Sequence, residues 1–378
     1  MALVYAVWNT LLNNFVVEVV HFNGAQIGLL QSVREVPGFL AFSAVFVLLI
    51  LAEQTLALVA LALMCIGVAV TGFFPFEYGL YATTLLMSIG FHYYETMNQS
   101  LTLQWLPQHQ TAEFMGQTLA IKAAGALLAY AGIYLGMKGL GLDYLWLYLS
   151  AGCIGFLLVV LLWRHYPTFQ GGVTQSKRLS LNKNYWVYYG LTFLSGARRQ
   201  IFVVFAGFLM VEKFGFSVTD ITTLFLINYL FNLICAPALG RFIQRVGDRN
   251  ALMLEYVGLC LVFIGYGLAE HAWQAATLYV IDHLLFALAI AMKSYLQKIA
   301  DPAELATTAS VSFTINHLAA VFIPALLGVI WMQDHSLVFF IGASFAVGSF
   351  ILSTRVPQAP SPNQPYLGYQ APSSATIP

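Results

Sequence analysis

Residues 144–163, YLWLYLSAGCIGFLLVVLLW, contain no charged residue, and this stretch decides the fold class. A helix rises about 1.5 Å per residue, so about 20 mostly apolar residues are needed to cross a hydrocarbon core roughly 30 Å thick. A helix also pairs its backbone groups internally, as a medium without water requires. The stretch therefore predicts a membrane-spanning helix.

The composition of the whole chain agrees with this interpretation. Of 378 residues, 60% are hydrophobic and 8% are charged, whereas a soluble domain typically carries about 25% charged residues. Basic and acidic residues number 16 each, and no basic cluster suggests a nucleic-acid partner. The four cysteines are widely spaced and form no CxxC pair, which indicates small buried hydrophobes. The lipid bilayer is the expected partner.

Twelve apolar stretches of this kind follow one another along the chain. They cover residues 3–21, 25–51, 55–74, 78–104, 115–137, 143–164, 185–211, 218–240, 251–269, 273–298, 307–331 and 336–355. The first stretch contains Asn9, Asn13, Asn14 and Glu18, so we interpret it as a spanning helix and not as a signal peptide. The predicted fold is an all-α integral membrane protein with twelve transmembrane helices.

A long polar interruption divides these helices six and six. The predicted domains are a six-helix bundle over residues 1–164, a cytoplasmic central loop over 165–184 and a second six-helix bundle over 185–356. Residues 357–378 contain six prolines and no charged residue, a composition that predicts a disordered tail. The halves also resemble each other, because FNGAQIGLL at 22–30 and FGFSVTDITTL at 214–224 both lead into the second helix of a half. Internal repeats are typical of secondary transporters.

Residues 240–250, GRFIQRVGDRN, resemble the GxxxDRxGR loop motif of the major facilitator superfamily. Gly240, Arg245, Gly247 and Arg249 match, whereas Gln244 replaces the acidic residue of the motif and Asp248 displaces one basic position. The corresponding link in the first half lacks the motif, so the chain resembles a divergent member. The resemblance implies two pseudo-symmetric bundles that open alternately to either side. It also implies a weakened or rearranged latch at this loop.

Ionisable residues deep in a spanning helix are costly, at about 2.5 to 3.5 kcal/mol each, and usually face a cavity or one another. In the first helix, Asn14, Glu18 and His21 are spaced to share one face. His92 and Glu95 have the same property in the fourth helix. A lone HxxE does not indicate zinc, which generally needs three protein ligands. We expect a hydrogen-bonding or proton-titrating pair, with structural charge pairing as the alternative.

The second half offers its own candidates. Arg198 and Arg199 lie about 20 Å along the seventh helix, where each needs a carboxylate partner or an anionic ligand. Asp282 and His283 correspond in the tenth helix to the pair in the fourth, although adjacent residues diverge by about 100° on a helix. These positions are candidates for solute binding or coupling.

Two further candidates lie elsewhere in the spanning segments. Arg34 stands beside Glu35 in the second helix, where a lipid-facing position for both is implausible. His317 shares a helical face with Ser310 and Thr314 in the eleventh helix. Such polar groups serve as often to join helices as to contact a solute.

These patterns predict a secondary active transporter that carries a small solute, with protons as the coupling ion. No GxxxxGK[ST] phosphate loop is present, so direct use of ATP is not expected, and no cofactor or metal is expected either. Two alternatives stay open: a membrane-embedded enzyme that acts on a lipid-soluble substrate, and a transporter-like sensor that moves nothing. The arginines favour an anionic solute, whereas 15% aromatic residues suit a sugar or an amphiphile. We expect a monomer in a bacterial inner membrane.

The distribution of basic residues predicts the orientation, because cytoplasmic loops retain Lys and Arg. With the N-terminus inside, one face holds ten basic residues and the other holds two. The ten are Arg164, Lys177, Arg178, Lys183, Arg241, Arg245, Arg249, Lys293, Lys298 and Arg355, and the two are Lys138 and Lys213. Arg34, Lys122, Arg198 and Arg199 fall within helices. Both termini are therefore expected in the cytoplasm.

This topology predicts that residues 175–183 and the C-terminal tail react with an impermeant thiol reagent only after cells are opened. Single cysteines placed there in a cysteine-free background provide the measurement. A cysteine in place of Lys213 is the control, because it is expected to react in intact cells. Labelling of the loop and the tail in intact cells contradicts the orientation.

Overall fold

A computed structural model of the chain describes residues 1–105, 108–165, 182–300 and 305–369. Within these ranges the helices form twelve principal segments. Those of the first half are α1 (Ala2–Glu18), α2 (Gly24–Phe39), α3 (Glu53–Thr71), α4 (Glu77–Trp105), α5 (Gln108–Tyr134) and α6 (Tyr144–His165). Those of the second half are α7 (Trp186–Glu212), α8 (Val218–Val246), α9 (Asp248–Gly267), α10 (Ala272–Ile299), α11 (Leu305–Trp331) and α12 (His335–Ser353). The predicted architecture is confirmed, and most of the predicted central loop lies outside the described residues.

Several of these segments are locally irregular. A π-helical stretch over Ile201–Ala206 interrupts α7, and a 3-10 turn over Ala287–Ala289 interrupts α10. A further π-helical stretch, Leu135–Gly139, extends α5. Such interruptions replace the regular backbone pairing of an α-helix and are frequent at functional sites.

Two of the predicted helix ends are wrong. The first helix ends at Glu18, and His21 follows in a left-handed conformation with a φ of 59°, so His21 does not share a helical face with Asn14. The second helix ends at Phe39, twelve residues before the predicted end at residue 51. Pro37 lies in its last turn and has no N–H to donate, which weakens the helix at this point. A short helix, Ala44–Val47, follows.

The chain forms two compact units that differ from a simple division at the central loop. The first contains the described part of Met1–Ser176 together with Gly207–Leu226 and Pro324–Met332. The second contains the described parts of Lys177–Ala206, Ile227–Ile323 and Gln333–Pro378. The end of α7, the start of α8 and the end of α11 therefore pack with the helices of the first half.

Close backbone contacts hold the end of α11 in the first unit. A side chain at Gly28 would overlap the backbone carbonyl of Pro324, so only glycine permits this approach of α2 to α11. The backbone N–H of Ala325 donates to Ser32 Oγ over 3.0 Å. The indole N–H of Trp331 donates to a Glu212 carboxylate oxygen over 2.8 Å and thereby joins α11 to the end of α7. Packing and hydrogen bonds thus act together at this contact.

The second unit has a tyrosine-rich core that also binds part of the C-terminal tail. The hydroxyl of Tyr295 donates to the carbonyl of Pro365 over 2.5 Å, and the ring of Tyr366 packs edge-on against Trp186 with centroids 5.7 Å apart. The N–H of Leu367 donates to the carbonyl of Arg355 over 2.7 Å. Residues 357–369 are therefore packed, in contrast to the expected disorder, because aromatic rings supply apolar contacts that the proline content did not predict. Residues 370–378 lie outside the described residues.

The outer surface of α6 is apolar, as a lipid-facing helix requires. Ile154, Leu157, Leu158 and Trp163 expose between 52% and 60% of their surface. Among the described residues, seven helical segments are long and apolar enough to cross a membrane, and Tyr144–His165 is one of them. Exposed apolar area of this extent indicates a protein solvated by lipid.

The contact between α3 and α4 provides a test of the packing. A Cβ atom at Gly90 would overlap the backbone of Ala60 and Met64, so we expect Gly90→Ala to cost about 1 to 3 kcal/mol of stability. Gly132→Ala is the matched control, because no heavy atom lies within 4 Å of its Cβ position. Thermal unfolding in detergent measures both. An equal effect of the two substitutions contradicts the close packing.

Candidate functional site

Asn14 and Glu18 form a hydrogen-bonded group near the end of α1. The side-chain amide of Asn14 donates to Glu18 over 2.9 Å and to the carbonyl of Phe216 over 2.8 Å. The hydroxyl of Tyr144 donates to the second carboxylate oxygen of Glu18 over 2.6 Å. Asn14 is buried whereas Glu18 is exposed. These bonds join α1 to α6 and to the start of α8, so the group contributes to structure within the first unit.

Arg34 and Glu35 pair with each other inside the first unit. Two nitrogens of the Arg34 guanidinium donate to one Glu35 oxygen, over 2.6 and 3.0 Å, and both side chains are buried. Ser88 of α4 donates to the backbone carbonyl of Arg34. A ring nitrogen of His92 and a carboxylate oxygen of Glu35 lie within 4.8 Å of each other. Three of the predicted polar positions in α2 and α4 are thus brought together.

Glu95 forms an ion pair with Lys122 of α5. The Lys122 ammonium donates to a Glu95 oxygen over 2.8 Å, and each side chain is 35% exposed. His92, one turn earlier on α4, is buried. The two members of the predicted His92–Glu95 pair therefore differ in environment, and the partner of Glu95 was missing from the prediction.

Arg198 lies at the centre of a buried charged cluster in the second unit. Its side chain has no exposed surface, and one terminal nitrogen lies 3.9 Å from a Glu255 oxygen on α9. The guanidinium stacks on the ring of Tyr256 at 4.4 Å from the centroid, and its Nε donates to the carbonyl of Leu194 over 3.3 Å. Among the described residues, neither terminal nitrogen of Arg198 forms a hydrogen bond.

Asp282 of α10 is the third member of this charged cluster. It is fully buried, and it interacts electrostatically with both Arg198 and Glu255. Neither of its carboxylate oxygens has a hydrogen-bond partner within the described part of the chain. The cluster holds one cation and two carboxylates, so a single proton on either acid makes it neutral. The arrangement can therefore exchange a proton between a charged and a neutral state.

The other predicted residues of the second half occupy different environments. His283 is half-buried, and its ring centroid lies 6.4 Å from that of Phe202. His317 is buried with Nδ1 2.9 Å from the carbonyl of Phe313. Arg199 is exposed, in contrast to its buried neighbour Arg198. The two adjacent arginines therefore have distinct surroundings.

An acid within the loop motif forms an ion pair with a neighbouring helix. The α8 helix ends at Val246, Gly247 follows with a φ of 83°, and Asp248 begins α9. Asp248 is buried and accepts a 2.7 Å bond from the Lys298 ammonium at the end of α10. Arg245 is exposed and Arg249 is half-buried. The acid that displaces a basic position of the motif thus joins two neighbouring helices.

Sequence reasoning missed Glu255 and Lys298. Glu255 is the only acidic residue in the apolar run ALMLEYVGLCLVF at 251–263, so the rule that selected Asp282 also selects it. Lys298 stands at a helix end, where a basic residue is ordinary, and its partner is distant along the chain. Only the first of the two therefore had a signal in the sequence.

The family of the chain follows from comparison with known proteins. The family model described as Major Facilitator Superfamily matches residues 1–324 and 188–367. The chain belongs to the major facilitator superfamily. Comparison with curated proteins finds no match. As a member of this superfamily, the chain is a membrane transporter.

Solved structures of other superfamily members have the same fold. The crystal structure of the nucleoside transporter NupG has a TM-score of 0.75 at 16% identity, over 93% of this chain and 95% of that one. A bacterial homologue of the human lysosomal transporter Spinster, in an inward-facing and occupied conformation, has a TM-score of 0.67 at 16% identity, over 93% of each chain. Identities this low establish the fold alone.

The buried cluster of Arg198, Glu255 and Asp282 leads to a prediction about the thermal stability of its variants. We expect Arg198→Gln to lower the thermal unfolding temperature strongly, because removal of the cation from a buried ion pair costs about 3 to 5 kcal/mol. The double variant Arg198→Gln with Glu255→Gln removes both charges, and we expect it to be more stable than the sum of the single effects. A double-mutant cycle in detergent is the measurement. Strictly additive effects contradict the interaction.

Proposed function

We propose that this transporter moves a small solute by alternating access and that it couples the movement to protons. The observation that carries the proposal is the buried cluster of Arg198, Glu255 and Asp282, in which both oxygens of Asp282 lack a partner among the described residues. A structural ion pair needs one acid for one base. The additional acid supports a role in which a proton binds and leaves during transport.

The proton and the solute are coupled through the exposure of this cluster. A carboxylate that is reached from the outer side takes up a proton, and the neutral cluster tolerates burial because its charges balance. Exposure to the inner side releases the proton. Symport follows when the solute and the proton enter by the same change of conformation, and the proton gradient then drives accumulation of the solute.

The titratable groups around the cluster restrict which residues carry the proton. Guanidinium groups do not release their protons in proteins. Tyr266 and Tyr279 interact electrostatically with Asp282, and the hydroxyl of Tyr266 has no hydrogen-bond partner in the described part of the chain. Phenols titrate near pH 10, so the carboxylates of Glu255 and Asp282 are the proton carriers in this proposal. Glu95, paired with Lys122, is not required.

The remaining features of the proposal follow from the sequence. Ten basic residues on one face against two on the other support cytoplasmic N- and C-termini, in a bacterial inner membrane. We expect the protein to act as a monomer. The fold neighbour NupG is described as a nucleoside transporter, so uridine is included as a neutral compound in a screen for solutes that stabilise the purified protein.

Coupling predicts that Asp282→Asn and Glu255→Gln abolish accumulation of the solute against a gradient, while exchange at equal pH on both sides survives. The amides mimic a permanently protonated acid. Proteoliposomes with an imposed pH gradient, loaded with the solute selected in the screen, provide the assay. The control is Glu270→Gln, because Glu270 is an exposed acid in the short link between α9 and α10.

The transport assay and thermal unfolding are interpreted together for each variant. Thermal unfolding of each variant separates loss of coupling from loss of folded protein. Accumulation by both amide variants in proportion to the pH gradient contradicts the proposal. An equal loss of accumulation and exchange also contradicts it, because coupling alone affects only the first.

A further inference from the structure

Four basic side chains were assigned by the sequence analysis to helices and not to loops, and three of them have a carboxylate partner. The pairs are Arg34 with Glu35 at 2.6 Å, Lys122 with Glu95 at 2.8 Å and Arg198 with Glu255 at 3.9 Å. The fourth is Arg199, and among the described residues it forms no ion pair within 4.0 Å. Of these four bases, Arg199 alone has no carboxylate partner within the described part of the chain.

The described acids within the helices of the second half have partners other than Arg199. Glu255 and Asp282 belong to the cluster around Arg198, and Glu212 binds the indole of Trp331. Asp248 binds Lys298, and Asp220 accepts a hydrogen bond from Ser217. The stretch of α8 whose side chains are not described, residues 232–238, has the sequence NLICAPA and contains no acid, whereas Asp301 and Glu304 also lie outside the described residues. No acid in the described helices of the second half therefore neutralises Arg199.

The position of Arg199 indicates that its side chain is in contact with water. It lies 13 residues after Trp186, or about 20 Å along α7, and its side chain is exposed. A guanidinium cannot lose its proton, and contact with hydrocarbon at this depth is costly. Ser195, one helical turn earlier on the same face, is half-buried and adds a hydroxyl. The π-helical stretch Ile201–Ala206 follows directly.

We propose that Arg199 binds the transported solute and that this solute is an anion with a carboxylate or phosphate group. The inference rests on the proposed transport function and names the chemical class of its substrate. A guanidinium presents two parallel N–H donors that match the two oxygens of such a group. Arg198, by contrast, interacts with Glu255 and Asp282 inside the protein, so the two adjacent arginines have separate roles.

A negative charge on the solute also gives a physical reason for its transport together with a proton. Entry of an anion into a cell works against a membrane potential that is negative inside. Each proton that enters with the solute cancels one negative charge. A bound anion at Arg199 and a bound proton at Asp282 or Glu255 therefore complement each other electrically, although they occupy different positions on α7, α9 and α10.

Binding to the purified protein tests this inference without any transport step. Thermal unfolding in detergent is measured with inorganic phosphate, succinate and lysophosphatidic acid as anions, and with glucose and uridine as neutral compounds, at constant ionic strength. We expect at least one anion to raise the unfolding temperature of the wild type and the neutral compounds to have no effect. Titration of the shift gives the affinity.

Variants at position 199 identify the group that binds. Arg199→Gln removes the charge and is expected to weaken anion binding at least tenfold, because a hydrogen bond to a charged group contributes that much. Arg199→Lys keeps the charge without the planar fork and is expected to bind with intermediate affinity. The matched control is Lys293→Gln, an exposed base near the cytoplasmic end of α10 that is expected to bind as the wild type does.

Each result supports or contradicts the inference. Stabilisation by lysophosphatidic acid alone, lost in Arg199→Gln, supports the inference with a lipid as the source of the anionic group. Stabilisation by the neutral compounds alone, by no anion, or equally in wild type and Arg199→Gln overturns it. None of these results alters the pH-gradient assay of Asp282→Asn, so failure of the substrate class and failure of proton coupling remain distinguishable.

Discussion

The structure depends on one constraint, the high cost of a charge in a medium without water. Only 8% of the residues are charged, and the described spanning helices contain the ion pairs Arg34–Glu35, Lys122–Glu95 and Arg198–Glu255. Exposure differs among the pairs, from the fully buried Arg198 to the partly exposed Lys122. The depth and the accessibility of each pair thus distinguish charges that hold helices together from charges that reach water.

The two halves differ in how their buried charges are paired. In the first unit, Arg34 and Glu35 are neighbours on the same helix and satisfy each other with short bonds. In the second, the charges come from α7, α9 and α10, and the closest approach of Arg198 to Glu255 is 3.9 Å. The first pair is short and balanced, whereas the second group is more widely spaced and holds one acid more than it holds bases. The pseudo-symmetric fold therefore carries an asymmetric distribution of charge.

The sequence predicted the architecture well because the bilayer imposes length and hydropathy on each helix separately. Local chemistry also predicted the buried Asp282. It did not predict that Glu95 pairs with Lys122, since side-chain partners on different helices depend on helix rotation, which no local pattern specifies. The same holds for Asp248 and Lys298, whose contact required the positions of α9 and α10. The sequence therefore indicated which residues are candidates but not how they combine.

The early end of α2 has a related cause. Apolar composition continued to residue 51, so hydropathy predicted a longer helix, whereas Pro37 and Gly38 end it at Phe39. Backbone chemistry took precedence over hydropathy there. In the tail, the opposite occurred, because the rings of Tyr366 and Trp186 pack despite a composition typical of disorder.

The docked part of the tail has a consequence for protein engineering. Residues 357–369 are attached to Trp186, Tyr295 and Arg355, so they belong to the folded body of the second unit. A fusion partner joined directly after Val356 displaces them and exposes the aromatic surface beneath. A partner joined after Pro378 leaves them in place. The position of the junction thus determines whether a fused reporter perturbs the second unit, which holds the charged cluster, or leaves it intact.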